Sequence, residues 1–181
     1  MNRTMRRTMA ALAFAAAIGG CAEKAAVEER AKASGVISSG KEETALGELP
    51  DDVVSVAMAA RPDMEIMAAE YETRNGAEYY DVAGTVAGGS EVELDMTRID
   101  GVWTVVEIQR DIAEGETPAA ALDVLFAERP GFKIDRIIES DQGDGVIIYE
   151  FFQHMEESEP EKAEVKVEAG RAEFLTEEWA H

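Results

Sequence analysis

The feature that most limits what this chain can fold into is a unit written twice. Pro50 and Pro118 lie 68 positions apart, and so do Pro62 and Pro130. The apolar positions between those prolines keep the same offset: Val53 answers Ala121, Val54 answers Leu122, Ala57 answers Leu125 and Met58 answers Phe126. Register held over so long an offset marks an internal duplication, so what one copy forms the other should form too. The copies divide the chain into repeats over 49–112 and 113–181.

Each copy opens as a helix and continues as strands. Pro50 suits a first helical position, where no N–H is needed. Asp51 and Asp52 meet the positive end of the helix dipole, Val53, Val54, Ala57 and Met58 make a one-sided apolar stripe, and Pro62 stops the helix. Four runs follow at 65–73, 77–87, 91–97 and 102–108, separated by turns at Asn75-Gly76, Gly88-Gly89-Ser90 and Asp100-Gly101. Alternation places Val92, Leu94 and Met96 opposite Glu91, Glu93 and Asp95. It also places Val102, Thr104, Val106 and Ile108 opposite Trp103, Val105 and Glu107. In the second copy Thr117 caps Pro118, a helix runs to about 127, and runs follow at 133–139, 146–152, 163–168 and 171–179. The best register equates Tyr80 with Tyr149 and Gly101 with Gly170. The expected fold is α+β: two tandem αββββ repeats, each a helix packed on its own antiparallel four-stranded sheet, with Met58 and Met67 in the core.

The formal charge of -21 on 181 residues excludes a phosphate-backbone binder, because so acidic a surface repels nucleic acid. Basic partners and divalent cations are electrostatically easier, and a simply solvated acidic surface accounts for the same number.

The N-terminus reads as an address. Arg3, Arg6 and Arg7 precede an apolar run over 9–18, too short to span a bilayer comfortably. Ile18-Gly19-Gly20-Cys21 follows and resembles the bacterial lipoprotein signal, with Ile18 where leucine is commonest. The resemblance implies a signal peptide over 1–20, cleavage between Gly20 and Cys21, and a lipid, palmitate included, on the Cys21 thiol. Cys21 is the only cysteine, so no disulfide framework exists. Ala22, rather than Asp, resembles an outer-membrane sorting signal. Residues 21–48, rich in Ala, Glu, Lys, Ser and Gly, read as a flexible acidic tether.

The order of one helix and four strands, with Leu49-Pro50, Ala60-Arg61-Pro62, Glu78-Tyr79-Tyr80-Asp81, the Asp100-Gly101 turn and Glu107, resembles PepSY-like domains. These are similar in architecture to the tandem β-lactamase-inhibitor protein. The second copy departs by Ile148-Tyr149-Glu150 and an added acidic loop. The resemblance implies an envelope binding module, of peptidase-inhibitor or sensor type, with no catalytic residues and no cofactor.

The residues themselves offer little chemistry. His154 and His181 fall in a loop and at the last position, and with the sole thiol lipidated no His/Cys metal site or thiol nucleophile remains. Asp141-Gln142-Gly143-Asp144-Gly145 lacks the spacing and closing Glu of a calcium loop, and 156–161 reads as a solvated acidic loop. Tyr79, Trp103 and Phe152 fall on the strand face opposite the expected core and are the candidate ligand contacts. Packing on each other or under loops is the competing reading. The expectation is an envelope protein, lipid-anchored in the outer membrane and facing the periplasm. It would bind a protein or peptide and perform no catalysis, the alternative being an acidic divalent-cation-binding or structural lipoprotein.

Overall fold

The computed structural model describes residues 39–155 and 161–179. The expected signal peptide over 1–20, Cys21, the expected tether up to 38, the acidic residues 156–160 and His181 lie outside the described residues.

Two-residue turns set the path of the chain. Asn75-Gly76, Asp100-Gly101 and Ala169-Gly170 each place both central residues at positive φ, between 49° and 83°. That is the hairpin turn whose twist matches the strands it joins. The strands are β1 (Glu42–Glu43), β2 (Glu65–Arg74), β3 (Ala77–Thr85), β4 (Glu91–Ile99), β5 (Val102–Ile112), β6 (Arg136–Asp141), β7 (Val146–Gln153), β8 (Glu161–Glu168) and β9 (Arg171–Leu175). They pair antiparallel in chain order as one nine-stranded sheet.

This corrects the expected fold class. There are not two αββββ repeats with separate four-stranded sheets, because β5 does not end at 108. It runs on to Ile112 and pairs with β6, from Ile108 opposite Asp141 to Ile112 opposite Ile137. The pairing satisfies backbone groups that two separate sheets would leave bare at facing edges. Arg110 to Glu139 at 2.7 Å and Arg136 to Asp111 at 2.9 Å bridge the seam. Residues 39–48, expected to belong to a flexible tether, carry ordered backbone pairing. Ser39 N–H donates to Thr73, Thr44 N–H donates to Ala69, and β1 pairs with β2.

Two helices cover one face. Helix α1 (Asp51–Ala60) starts after Pro50 with Asp51 and Asp52 in its first turn, and α2 (Ala119–Glu128) starts after Pro118. Arg61 and Arg129 close the two C-termini by donating backbone N–H to Ala57 and Leu125. Val53 and Ala57, one helical turn apart, pack with Val82, Leu94 and Met96. Ala121 and Leu125 pack with Ile137, Tyr149, Phe151 and Val165. Burying such side chains contributes about 1.5–3 kcal/mol each for the larger ones. Ile108 belongs to the helix side, and two residues on, Arg110 opposes Glu139, which opposes Tyr149. Both helices therefore cover the same side, and among the described residues no α-helix covers the other.

Two bulges break the strict alternation read from the sequence. In β2 the register slips between Ile66 and Ala68, so Met67 is left unpaired and 58% exposed rather than in the core. Met58 is exposed as well. Gly84 makes the β2 bulge possible, since a Cβ there would stand 2.4 Å from the Glu65 carbonyl oxygen. In β5 the slip falls between Val105, opposite Met96, and Glu107, opposite Asp95. A one-residue slip exchanges the faces of everything before it relative to everything after it.

Candidate functional site

The helix-free face carries a rank of acids. Glu43 opposes Glu70, Glu70 opposes Asp81, Asp81 opposes Asp95, and Asp95 opposes Glu107, across five consecutive strands. Directly opposed residues stand about 5 Å apart, and like charges so placed destabilise a sheet. Glu93 sits two residues from Asp95 on the same face of β4. Carboxylate oxygens of Asp81, Glu93 and Asp95 lie within 4.8 Å of one another.

Three devices offset the repulsion. Lys41 reaches over β2, with Nζ 2.5 Å from Asp81 Oδ2 and 3.8 Å from Glu70 Oε2. Burial works against its charge, but the Asp81 carboxylate beside it wins and the ammonium pKa is raised. At the other end, Glu107, 2% exposed, accepts hydrogen bonds at Oε1 from Gln109 Nε2 and Gln142 Nε2, each at 3.1 Å, and a very short one from Ser140 Oγ. Between these ends lies Asp95. Burial, then the neighbouring Asp81 and Glu107 carboxylates, push its pKa up to about 9, so it keeps its proton at neutral pH and shares a hydrogen bond with Glu107. Asp95 Oδ1 is sealed from solvent and accepts no hydrogen bond among the described residues. Burial raises Glu93 as well.

The structure separates the aromatic residues expected to share a ligand face. Trp103 lies on the helix side, 3% exposed, with its ring centroid 5.2 Å from Tyr80 in the first core. The β5 bulge is the reason: before it the odd positions point to the helix, and after it Ile108 does. Tyr79 remains on the helix-free face under the Arg74 guanidinium, 4.2 Å from its ring centre. Phe152 is half-buried on the same face of the second half, between Arg136 and Lys162 in register. Tyr79 and Phe152 therefore stand on different halves, and the three form no common surface. His154 is exposed, its backbone N–H donating to Asp135. In the Asp141 loop, Asp141 and Asp144 accept backbone N–H groups of Gly143 and Val146, so both carboxylates brace their own turn.

Reading by spacing missed the rank because its members come from five strands. Alternation along each strand sets Glu93, Asp95 and Glu107 off the core, and Asp81 falls in the Glu78-Tyr79-Tyr80-Asp81 run. What was missing was the register that lines them up.

Such a rank can seat a hard cation or an ammonium, both of which take several oxygen partners at once. It does not resemble acyl-transfer machinery. Ser140, the hydroxyl held against Glu107, is 1% exposed and closed to a substrate. Surface depressions flank Arg129, away from the rank. No helix among the described residues is long and apolar enough to cross a membrane. No protein family, curated protein or solved structure matches the chain.

Proposed function

We propose that this chain is a non-enzymatic binding protein of the cell envelope, held at the membrane by a lipid on Cys21, that engages cationic partners through the helix-free face of its first five strands. The observation that carries the reading is the seat of Lys41. A primary ammonium already sits on Asp81 and Glu70, and the acids around it outnumber it. A partner presenting lysine side chains along an extended segment would meet a row of carboxylates at strand spacing, about 5 Å apart. The whole chain carries a formal charge of -21, and this long-range field would speed the approach of such a partner.

The expected result concerns a labelled octalysine peptide. Its affinity for the chain should fall at least tenfold when Glu70→Gln, Asp81→Asn and Glu93→Gln are combined, and most of the salt dependence should go with it. Equal affinity for both forms would remove this face from the account. Calcium without the peptide is the second arm. Heat of binding to calcium, with no peptide binding, would favour the divalent-cation reading, which the convergence of Asp81, Glu93 and Asp95 supports. On the anchoring side, Cys21→Ser should move the chain from the membrane to the soluble fraction.

A further inference from the structure

The repeat reaches further upstream than its prolines. Strand β1 meets β2 with Glu42 opposite Tyr71 and Glu43 opposite Glu70, and Thr44 N–H donates to the Ala69 carbonyl. At an offset of 68 the second half repeats each of these: Arg110 opposes Glu139, Asp111 opposes Ile138 and Ile112 opposes Ile137. The short 3-10 turns that follow, Leu46–Glu48 and Glu114–Glu116, keep the offset as well. Residues 39–44 therefore fill on β2 the strand slot that the end of β5 fills on β6.

The two occupants are held differently. The end of β5 belongs to an 11-residue strand rooted in the first core through Trp103, and its acid Asp111 finds the Arg136 guanidinium at 2.9 Å. Strand β1 is two residues long. Its acid Glu43 faces Glu70, and Ala68 stands where the second copy has Arg136. Like charges directly opposed weaken a strand pair. Two residues earlier on the same face, Lys41 places its ammonium 2.5 Å from Asp81 and 3.8 Å from Glu70. The slot thus holds a lysine in one seat and a mismatched acid in the next. Among the described residues the first core begins at Leu49, so this segment can leave without opening it.

We propose that the outer edge of β2 is where the partner docks, as an extended segment with lysine at every second residue that adds as a strand in place of residues 39–44. Docking here presupposes that the carboxylate face is the contact surface, and it fixes where and how the partner is held. The partner's backbone takes over the bonds that Ser39 and Thr44 make with Thr73 and Ala69, the mode in which open sheet edges take extended peptides. Side chains two apart on a strand share a face. One lysine therefore takes the Asp81 seat from Lys41, and the next lies opposite Glu70, where Glu43 stands in the free chain. The first exchange is even in charge, and the second replaces repulsion by attraction. Residues 39–44 are then a resident stand-in for the partner, displaced when it binds.

A full chain carrying Cys21→Ser, Glu43→Cys and Glu70→Cys tests the displacement. Directly opposed residues stand about 5 Å apart, within reach of a disulfide, so oxidation pins β1 to β2 and reduction frees it. Octalysine should bind the reduced form at least tenfold more tightly than the oxidised form of the same chain. In the wild type, hydrogen exchange should show the Ser39 and Thr44 amides losing protection when octalysine binds, while the amides of β2 and β3 keep theirs. Equal affinity of the two redox forms, or Ser39 and Thr44 amides as protected with octalysine as without it, would overturn strand replacement and leave the carboxylate face standing as the contact surface. That face fails by a separate result, an octalysine affinity indifferent to the combined loss of the Glu70, Asp81 and Glu93 carboxylates, and strand replacement would fall with it.

Discussion

Replacing Phe151 by Ala should destabilise the protein by about 3–5 kcal/mol, and it should do so for both halves of the sheet at once. Phe151 is fully buried under α2, among Leu125, Ile137 and Val165. Truncation there removes a ring and leaves a cavity that the flanking strands cannot close, because pairing holds Phe151 between Ile137 and Ala163. The size of the loss is large against an ordinary stability of about 5–15 kcal/mol. Its reach is the sharper point. Two helices with two separate cores could unfold as independent modules, whereas one sheet joined along β5 and β6 should not. Chemical denaturation followed by Trp103, in the first core, should therefore shift to lower denaturant together with the circular dichroism. A Trp103 transition left in place while the second half melts would show that the β5–β6 seam does not couple the halves.

The second large effect is a loss of stability with rising pH. Asp95 has a raised pKa in the folded chain, so the folded state holds a proton that the unfolded state gives up near its ordinary value of 3.8. The stabilisation attached to that proton is complete below about pH 3.8 and declines as pH rises toward about 9. One such proton corresponds to a slope of at most about 1.4 kcal/mol per pH unit within the window. Asp95→Asn keeps a donor for Glu107 and removes the titration. The variant should match the wild type below about pH 3.8 and exceed it increasingly from there toward pH 9, with a flatter slope of melting temperature against pH. Parallel slopes would mean that Asp95 is ionised in the folded protein.

Much of the local structure was legible. The turn pairs Asn75-Gly76 and Asp100-Gly101 call for positive φ, and a two-residue turn at Asn75-Gly76 already sets Glu70 opposite Asp81. The prolines at 50, 62, 118 and 130 bracket both helices. The two bulges were not legible, since no residue at Met67 or Val106 announces an unpaired position, and each bulge changes which residues face which side. The β5 bulge therefore sent Trp103 into the core and brought Glu107 opposite Asp95, so it both removed the expected aromatic face and completed the acidic one. The joined sheet was hidden for a different reason. Gln109, Arg110 and Asp111 look like the polar end of a strand, but Arg110 and Asp111 are the residues that bond across to Glu139 and Arg136. A repeat in sequence constrains each copy, and it says nothing about whether the edges of the copies meet.

The central claim is that contact is made by the carboxylates of the helix-free face and not by acidity spread over the whole surface. Carboxyl-detected nuclear magnetic resonance of the labelled chain, titrated with octalysine, addresses it residue by residue. The account predicts shifts concentrated at Glu70, Asp81, Glu93 and Asp95, with Asp51, Asp52 and Glu128 on the helices unmoved. Equal shifts on both faces, or shifts only on the helix side, would contradict it.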